Sequence, residues 1–217
     1  ALLVELGDQI NPSINEKVRE LLLKLDRRPL DGVMELVPSY RSLMVVYDPL
    51  KTGFDRLREK ILALHQASDP SLVSEPKTLA VPVLYGGEWG PDLEWVANFH
   101  KISPEEVVTL HAGTTYRVYM IGFTPGYPYL GELPEALATP RRQTPRTGVP
   151  QGPVAIAQRQ TGIYPVQSPG GWHILGWTPI KLFDANHWPP TPLEMGDRVQ
   201  FFPIQKEEVG RWTSSKA

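Results

Sequence analysis

The residues best suited to chemistry lie in one stretch. From Ala136 to Phe183 there is no Asp or Glu, yet the stretch holds Arg141, Arg142, Arg146, Arg159 and Lys181, with His173 in addition. Positive charge gathered without local partners repels itself, and an anionic ligand or an acidic surface relieves it. Carboxylates from elsewhere in the fold, or plain exposure to solvent, would relieve it equally. The same part of the chain carries Gly122-Phe-Thr-Pro-Gly-Tyr127 and Ser168-Pro-Gly-Gly-Trp172. The pair Gly170-Gly171 lets backbone amides approach a ligand, although barrel turns use such pairs as readily.

The acid–base inventory is small. His173 is the one histidine inside the basic stretch; His65 and His100 fall on expected helices, His111 near a helix end and His187 in a proline-rich turn. No two histidines have metal-ligand spacing, and no cysteine is present, so thiolate zinc sites, disulfides and cysteine nucleophiles are excluded. Thr161 and Ser168 offer hydroxyls for polar substrate atoms but have no evident base to make them nucleophiles. Tyr127, Tyr129, Tyr164, Trp172 and Trp177 are candidates for a pocket wall or for ordinary core. Walker A, GxGxxG, GxSxG and kinase patterns are all absent, so any nucleotide site is unconventional. This inventory describes a binding and electrostatic half-site that borrows acid–base groups from a partner.

Composition bounds the rest. The 217 residues are 41% hydrophobic and 21% charged, with a formal net charge of −2. That is globular, and the charge argues against general nucleic-acid binding. No apolar run approaches the roughly 20 residues of a membrane helix. Without a signal-peptide pattern, the expected location is the cytoplasm. Proline, at 23 residues, and glycine, at 18, divide the chain into short elements.

The elements that must position the basic stretch begin with a strand at Ala1–Gly7. Ser13 stands three residues before Glu16, a capping-box spacing, and Val18, Leu21, Leu22 and Leu25 recur at helical period, which predicts a helix over 13–27. Asp31–Val37 and Ser42–Tyr47 read as strands joined by a turn. Phe54, Leu57, Ile61 and Leu64 mark a second helix, Ala67–Lys77 a linker, and Thr78–Tyr85 a strand. The β-α-β-β-α order is that of a ferredoxin-like split βαβ unit. Helices follow at Asp92–His100 and from Ser103, the latter capped by Ser103 with Pro104 in its first turn and ending at a left-handed Gly113. Beyond Thr115 the expected strands are short: Tyr116–Phe123, Val154–Gln158, Ile163–Gln167, Trp172–Trp177, Ile180–Phe183 and Arg198–Ile204. Such spacing predicts a closed or nearly closed barrel. The fold class is therefore α+β, with a small α/β domain over 1–77 and a β-barrel domain over 78–217.

Four motifs in order, Gly122-Phe-Thr-Pro-Gly-Tyr-Pro-Tyr-Leu130, Pro140-Arg-Arg-Gln-Thr-Pro-Arg146, Gln160-Thr-Gly-Ile-Tyr-Pro165 and Ser168-Pro-Gly-Gly-Trp172, closely resemble the KipI / 5-oxoprolinase B-type family, whose members are also labelled allophanate hydrolase subunit 1. The resemblance runs from Leu3-Val-Glu-Leu-Gly-Asp8 to Gly196-Asp-Arg-Val-Gln-Phe-Phe-Pro-Ile204. It implies a small α/β N-terminal domain followed by a cyclophilin-like barrel.

It also implies a subunit of a bacterial ATP-dependent 5-oxoprolinase, inactive alone, that works with a C-type (allophanate hydrolase subunit 2-like) and an A-type subunit to open the lactam 5-oxo-L-proline to L-glutamate. ATP, with magnesium as its counter-ion, is the implied cofactor. Arg142 and His173 are then the expected catalytic residues. Arg141 and Arg146 are expected to clamp phosphate or the substrate carboxylate, whose geometry the guanidinium fork matches. Tyr127, Thr161, Tyr164, Ser168, Gly170 and Gly171 complete the expected binding set. Two other activities share the resemblance: a carboxyltransferase-type subunit acting on urea or a related amide, and an inhibitor of a sensor histidine kinase. Two departures accompany it. Gln158-Arg159 stands where the family reads a glycine pair, and Gly176-Trp177 where it reads Gly-Arg.

Overall fold

The computed structural model describes residues 1–67 and 76–213. Most of the expected linker therefore lies outside the described residues. The chain forms two compact units, Ala1–Pro76 and Lys77–Ala217.

In the first unit, β1 (Leu2–Glu5), β3 (Ser42–Tyr47) and β2 (Val33–Pro38) form an antiparallel sheet in the order β1-β3-β2. Helices α1 (Pro12–Arg27) and α2 (Phe54–Gln66) bury Val18, Leu21, Leu25, Leu57 and Ile61, the residues whose period of three and four made them legible. The start of α1 differs from the expected capping box. Asn11 is the cap: its Oδ1 accepts the Ser13 amide at 2.8 Å, which puts Pro12 at the first helical turn, and Glu16 pairs with Arg19 instead.

The second unit is a closed barrel in the order β11-β4-β12-β5-β6-β9-β8. Its strands are β4 (Thr78–Tyr85), β5 (Thr115–Ile121), β6 (Pro128–Gly131), β8 (Pro153–Ala157), β9 (Gln160–Ile163), β11 (His173–Trp177) and β12 (Arg198–Pro203). All neighbours are antiparallel except β12 and β4. A separate ribbon pairs β7 (Arg146–Val149) with β10 (Ser168–Gly170). Ile180–Phe183 forms no strand, and the run expected at Ile163–Gln167 divides between the end of β9 and a loop. Among the described residues, no helix is long and apolar enough to cross a membrane.

Helices α3 (Leu93–His100) and α4 (Pro104–Ala112) precede β5. Ser103 caps α4 through its hydroxyl, as its spacing predicts. Gly113 is not left-handed: its φ is −73°, and the left-handed terminator is Lys101, with φ +58°, at the end of α3. Cβ on Gly113 would lie 2.8 Å from the Thr109 carbonyl oxygen, so close approach is what requires glycine there.

Strand β8 explains how the barrel supports a site. Its five residues, Pro-Val-Ala-Ile-Ala, are all buried, because the strand is covered on both faces. Val154 and Ile156 join Val81, Val83, Tyr116, Leu175 and Phe201 in the main core. Ala155 and Ala157 point the other way, joining Tyr127, Val149, Tyr164, Trp172 and Ile174 in a second cluster. Two alanines on that face leave room for large rings, and the cleft described next is built from those rings.

Candidate functional site

Tyr127 is the hub of the second cluster. Its ring meets Tyr164 edge-on at 5.2 Å, Trp172 at 5.8 Å and Phe123 at 5.7 Å, and lies 5.0 Å from Tyr129. Edge-to-face contacts of this kind lock ring orientation beyond what area burial does. These five rings wall a cleft of about 230 Å³, completed by Pro145, Pro169, Gly170 and Gly171, with Arg141 as its charged member. Burial pushes the phenol groups of Tyr129 and Tyr164 up, opposed at Tyr129 by the Arg141 charge and at Tyr164 by a Trp172 backbone hydrogen bond and the Arg146 and Arg141 charges. Both hydroxyls therefore stay protonated near neutrality and can donate to a ligand.

Phe123 sits at the cleft in an unusual backbone state. Its φ is +68° and the residue is 60% exposed. A bulky residue in the left-handed region is strained. The turn that holds it is tight: Thr124 N–H donates to the Gly122 carbonyl at 2.8 Å, Tyr127 N–H to Thr124, and Gly122 N–H to Tyr127.

The three arginines of Pro140–Arg146 do not act alike. Arg142 Nη1 and Arg146 Nη2 both donate to one oxygen of Asp92, at 2.8 and 2.9 Å. The other Asp92 oxygen accepts the Ile174 amide at 2.7 Å, and Asp92 N–H donates to the Ile174 carbonyl. Asp92 is 5% exposed, just before α3, and it fastens that helix to β11 and to the arginine loop. Arg146 also reaches toward the Trp172 carbonyl at 3.5 Å. Arg141 is exposed on the cleft, and among the described residues no carboxylate pairs with it.

His173 lies behind this cluster and does not line the cleft. It is buried, its ring stacks on Trp95 at 4.4 Å and 5°, and its Nε2–H donates to the Pro140 carbonyl at 3.0 Å. That bond fixes the tautomer, leaving the Nδ1 lone pair without a hydrogen-bond partner among the described residues. Burial lowers its pKa, with Arg142 and Arg146 acting in the same direction against the Pro140 bond and Asp92. Neutral imidazole is the result at pH 7.

The expected binding set divides in the same way. Tyr127, Tyr164, Gly170, Gly171 and Arg141 come together on the cleft. Thr161 does not: it is fully buried in the barrel, where its hydroxyl meets His111 Nε2 at 2.9 Å and donates to the Ala155 carbonyl. Ser168 is buried on the β7–β10 ribbon, away from the cleft lining. Gln158, at φ +54°, occupies the β8–β9 turn, a backbone state that a glycine would meet without strain, and neither Arg159 nor Trp177 lines the cleft. Asp92 and Phe123 escaped sequence reasoning. The only signal for Asp92 was indirect: a basic stretch without acids needs carboxylates from elsewhere.

Residues 1–193 match the family model described as carboxyltransferase domain, subdomain C and D. The chain is 37% identical over 219 residues to the B-type subunit of 5-oxoprolinase from Bacillus subtilis (strain 168), covering 96% of this chain and 91% of that protein. It is 56% identical over 172 residues to the B-type subunit of 5-oxoprolinase from Haemophilus influenzae, covering 78% of each. The crystal structure of TTHA0988 superposes with a TM-score of 0.84 at 37% identity, over 94% of this chain and 40% of that one. The chain thus spans about two fifths of the TTHA0988 chain.

Proposed function

The chain belongs to the family of 5-oxoprolinase B-type subunits, and from that membership we propose that it is one subunit of a cytoplasmic, ATP-dependent complex that opens 5-oxo-L-proline to L-glutamate. The observation that carries the reading is Arg141: a guanidinium without a carboxylate partner among the described residues, on the wall of an aromatic cleft. A five-membered lactam bearing one carboxylate is flat, apolar on both faces and singly charged. Aromatic walls suit the ring, and a guanidinium fork suits the carboxylate.

In this reading Arg141 binds and orients the substrate carboxylate. Tyr129 and Tyr164 present hydroxyl donors toward the polar edge of the ring, and the Phe123, Tyr127 and Trp172 rings exclude water. The reaction consumes water and couples to ATP hydrolysis. A lactam is a poor electrophile, and phosphorylation of its amide oxygen would supply the activation. The cleft itself does not fit a triphosphate. Two of its three nearby guanidinium groups are committed to Asp92, which leaves one cation against several phosphate charges. In this reading ATP and its magnesium would be held by the assembled complex with the C-type and A-type subunits.

The carboxyltransferase domain named by the matching family model supports a second reading, a carboxyltransferase-type subunit, and in that reading its substrate is urea or a related amide. One reconstitution separates the two. ATP hydrolysis dependent on 5-oxo-L-proline is measured for the chain alone, with a C-type subunit, and with both companions. Turnover only in the full assembly, weakened by Arg141→Gln, supports 5-oxoprolinase. A stable assembly silent toward 5-oxo-L-proline but active on urea with a biotin carrier supports the alternative.

A further inference from the structure

We propose that Asp92 sets the charge selectivity of the cleft, holding Arg142 and Arg146 out of it so that Arg141 remains its only cation and singly charged anions are preferred over multiply charged ones. The inference rests on the reading of Arg141 as the anion-binding residue and adds how that residue is singled out.

Two guanidinium groups converge on one carboxylate oxygen, at 2.8 and 2.9 Å. They approach that closely only because the carboxylate lies between them, since like charges so placed repel strongly away from bulk water. The backbone on either side of Arg141 is held as well. The Pro140 carbonyl accepts from His173, and the Arg142 amide donates to the Gly171 carbonyl at 2.9 Å. Arg141 is thus fixed between two anchored neighbours, while Arg142 is drawn to Asp92. The sequestered charges remain close to the ligand space. Arg146 reaches the carbonyl of Trp172, a wall residue, and its charge is felt at the Tyr164 hydroxyl. Arg146 already has a carbonyl of the cleft wall within reach, and Arg142 directly follows Arg141 in the chain, so release from Asp92 frees both charges beside the cleft.

Asp92 is thus a positioning residue, acting through the arginines and touching no ligand. Neutralising it does not remove a binding charge; it adds cations within reach of the cleft. Loss of a merely structural ion pair would weaken binding of every anion together. Loss of a charge-setting residue changes their ratio.

The test uses the full chain with 5-oxo-L-proline as the monoanion and glutarate as a dianion of similar size, titrated calorimetrically. Wild type is expected to prefer the monoanion. Asp92→Asn is expected to shift the ratio of the two affinities toward glutarate by at least about tenfold. Asp92→Asn combined with Arg142→Gln and Arg146→Gln removes both released cations, leaves Arg141 alone on the cleft and is expected to restore the preference. An unchanged ratio in a folded Asp92→Asn chain overturns the proposal. A second measurement does not depend on binding: phenylglyoxal adducts mapped by mass spectrometry on the native chain. Arg141 is expected to react first, and equal reactivity of Arg142 or Arg146 overturns the sequestration. If neither anion binds wild type, the reading of the cleft fails. The adduct map then still decides whether Asp92 withholds the two arginines.

Discussion

The Tyr164 phenol packs directly on Gly170: a Cβ built on that glycine would overlap the hydroxyl oxygen and lie 2.7 Å from Cζ. Gly170 therefore acts as a seat for a wall residue. Its neighbour has no such duty, since a Cβ on Gly171 would meet only Pro145, at 3.7 Å.

The glycine pair is accordingly expected to behave asymmetrically. Gly170→Ala should cost about 1–3 kcal/mol of stability through overpacking, or displace Tyr164 and weaken ligand binding. Gly171→Ala should stay within about 0.5 kcal/mol of wild type. Thermal unfolding of both variants, with a calorimetric titration of 5-oxo-L-proline, checks the contrast. Equal effects at the two positions would show that the Tyr164 seat is not what the pair provides.

Arg141 and Arg142 are adjacent but should fail differently. Arg141→Gln should leave thermal stability unchanged and raise KM for 5-oxo-L-proline in the assembled complex roughly 10- to 100-fold, the worth of a charge-assisted hydrogen bond of about 1.5–3 kcal/mol. Arg142→Ala removes one of two guanidinium partners from the buried Asp92 and should lower stability by about 1–3 kcal/mol. Steady-state kinetics beside thermal melts separate the roles; a KM effect confined to Arg142 would assign the ligand to the wrong arginine.

How much of this was legible in the sequence depends on the range of the interactions. Helix α1 and strand β3 are written in local periodicity, and their positions follow from Val18, Leu21 and Leu25 or from the run Ser42–Tyr47. The aromatic cleft was half legible, because Tyr127, Tyr164 and the glycine pair fall in distinctive motifs. Asp92 was not: its partners lie 50, 54 and 82 residues away, and nothing local marks a residue before a short helix as an acceptor for them. Thr161 misled for the complementary reason. A hydroxyl inside a barrel strand looks available for ligand until the fold brings His111 against it. Strands β6 and β7 went unread because their proline and glycine imitate turns.

His111 makes stability dependent on pH. Completely buried between the Tyr85 hydroxyl at 2.7 Å and Thr161, it has its pKa lowered by burial to about 3. The unfolded chain takes up a proton on this histidine near pH 6.5, while the folded chain does not, so stability falls as pH drops below that value. Between pH 8 and pH 5 the loss should approach about 2 kcal/mol from this group alone. The lowered His173 and His100 add in the same direction. Urea unfolding of wild type and His111→Gln across this window checks the sign. A wild type as stable at pH 5 as at pH 8 would contradict a neutral buried imidazole.

Phe123 combines two costs: a left-handed backbone at φ +68° and the exposure of a large apolar residue, 60% of whose surface is accessible. The left-handed state costs a residue with a Cβ about 1–2 kcal/mol, and glycine escapes most of it. Were the ring there for stability, Phe123→Gly would lower the melting temperature. Were it there to cover bound ligand, the same substitution would leave the melting temperature unchanged or raise it, while weakening 5-oxo-L-proline binding. Phe123→Tyr, which keeps both ring and backbone, should bind as wild type does. The second pattern is expected, because the ring meets the cluster edge-on at Tyr127 and lines the cleft. If Phe123→Gly instead weakens assembly with the companion subunits at unchanged ligand affinity, the ring serves the interface between subunits and not the cleft.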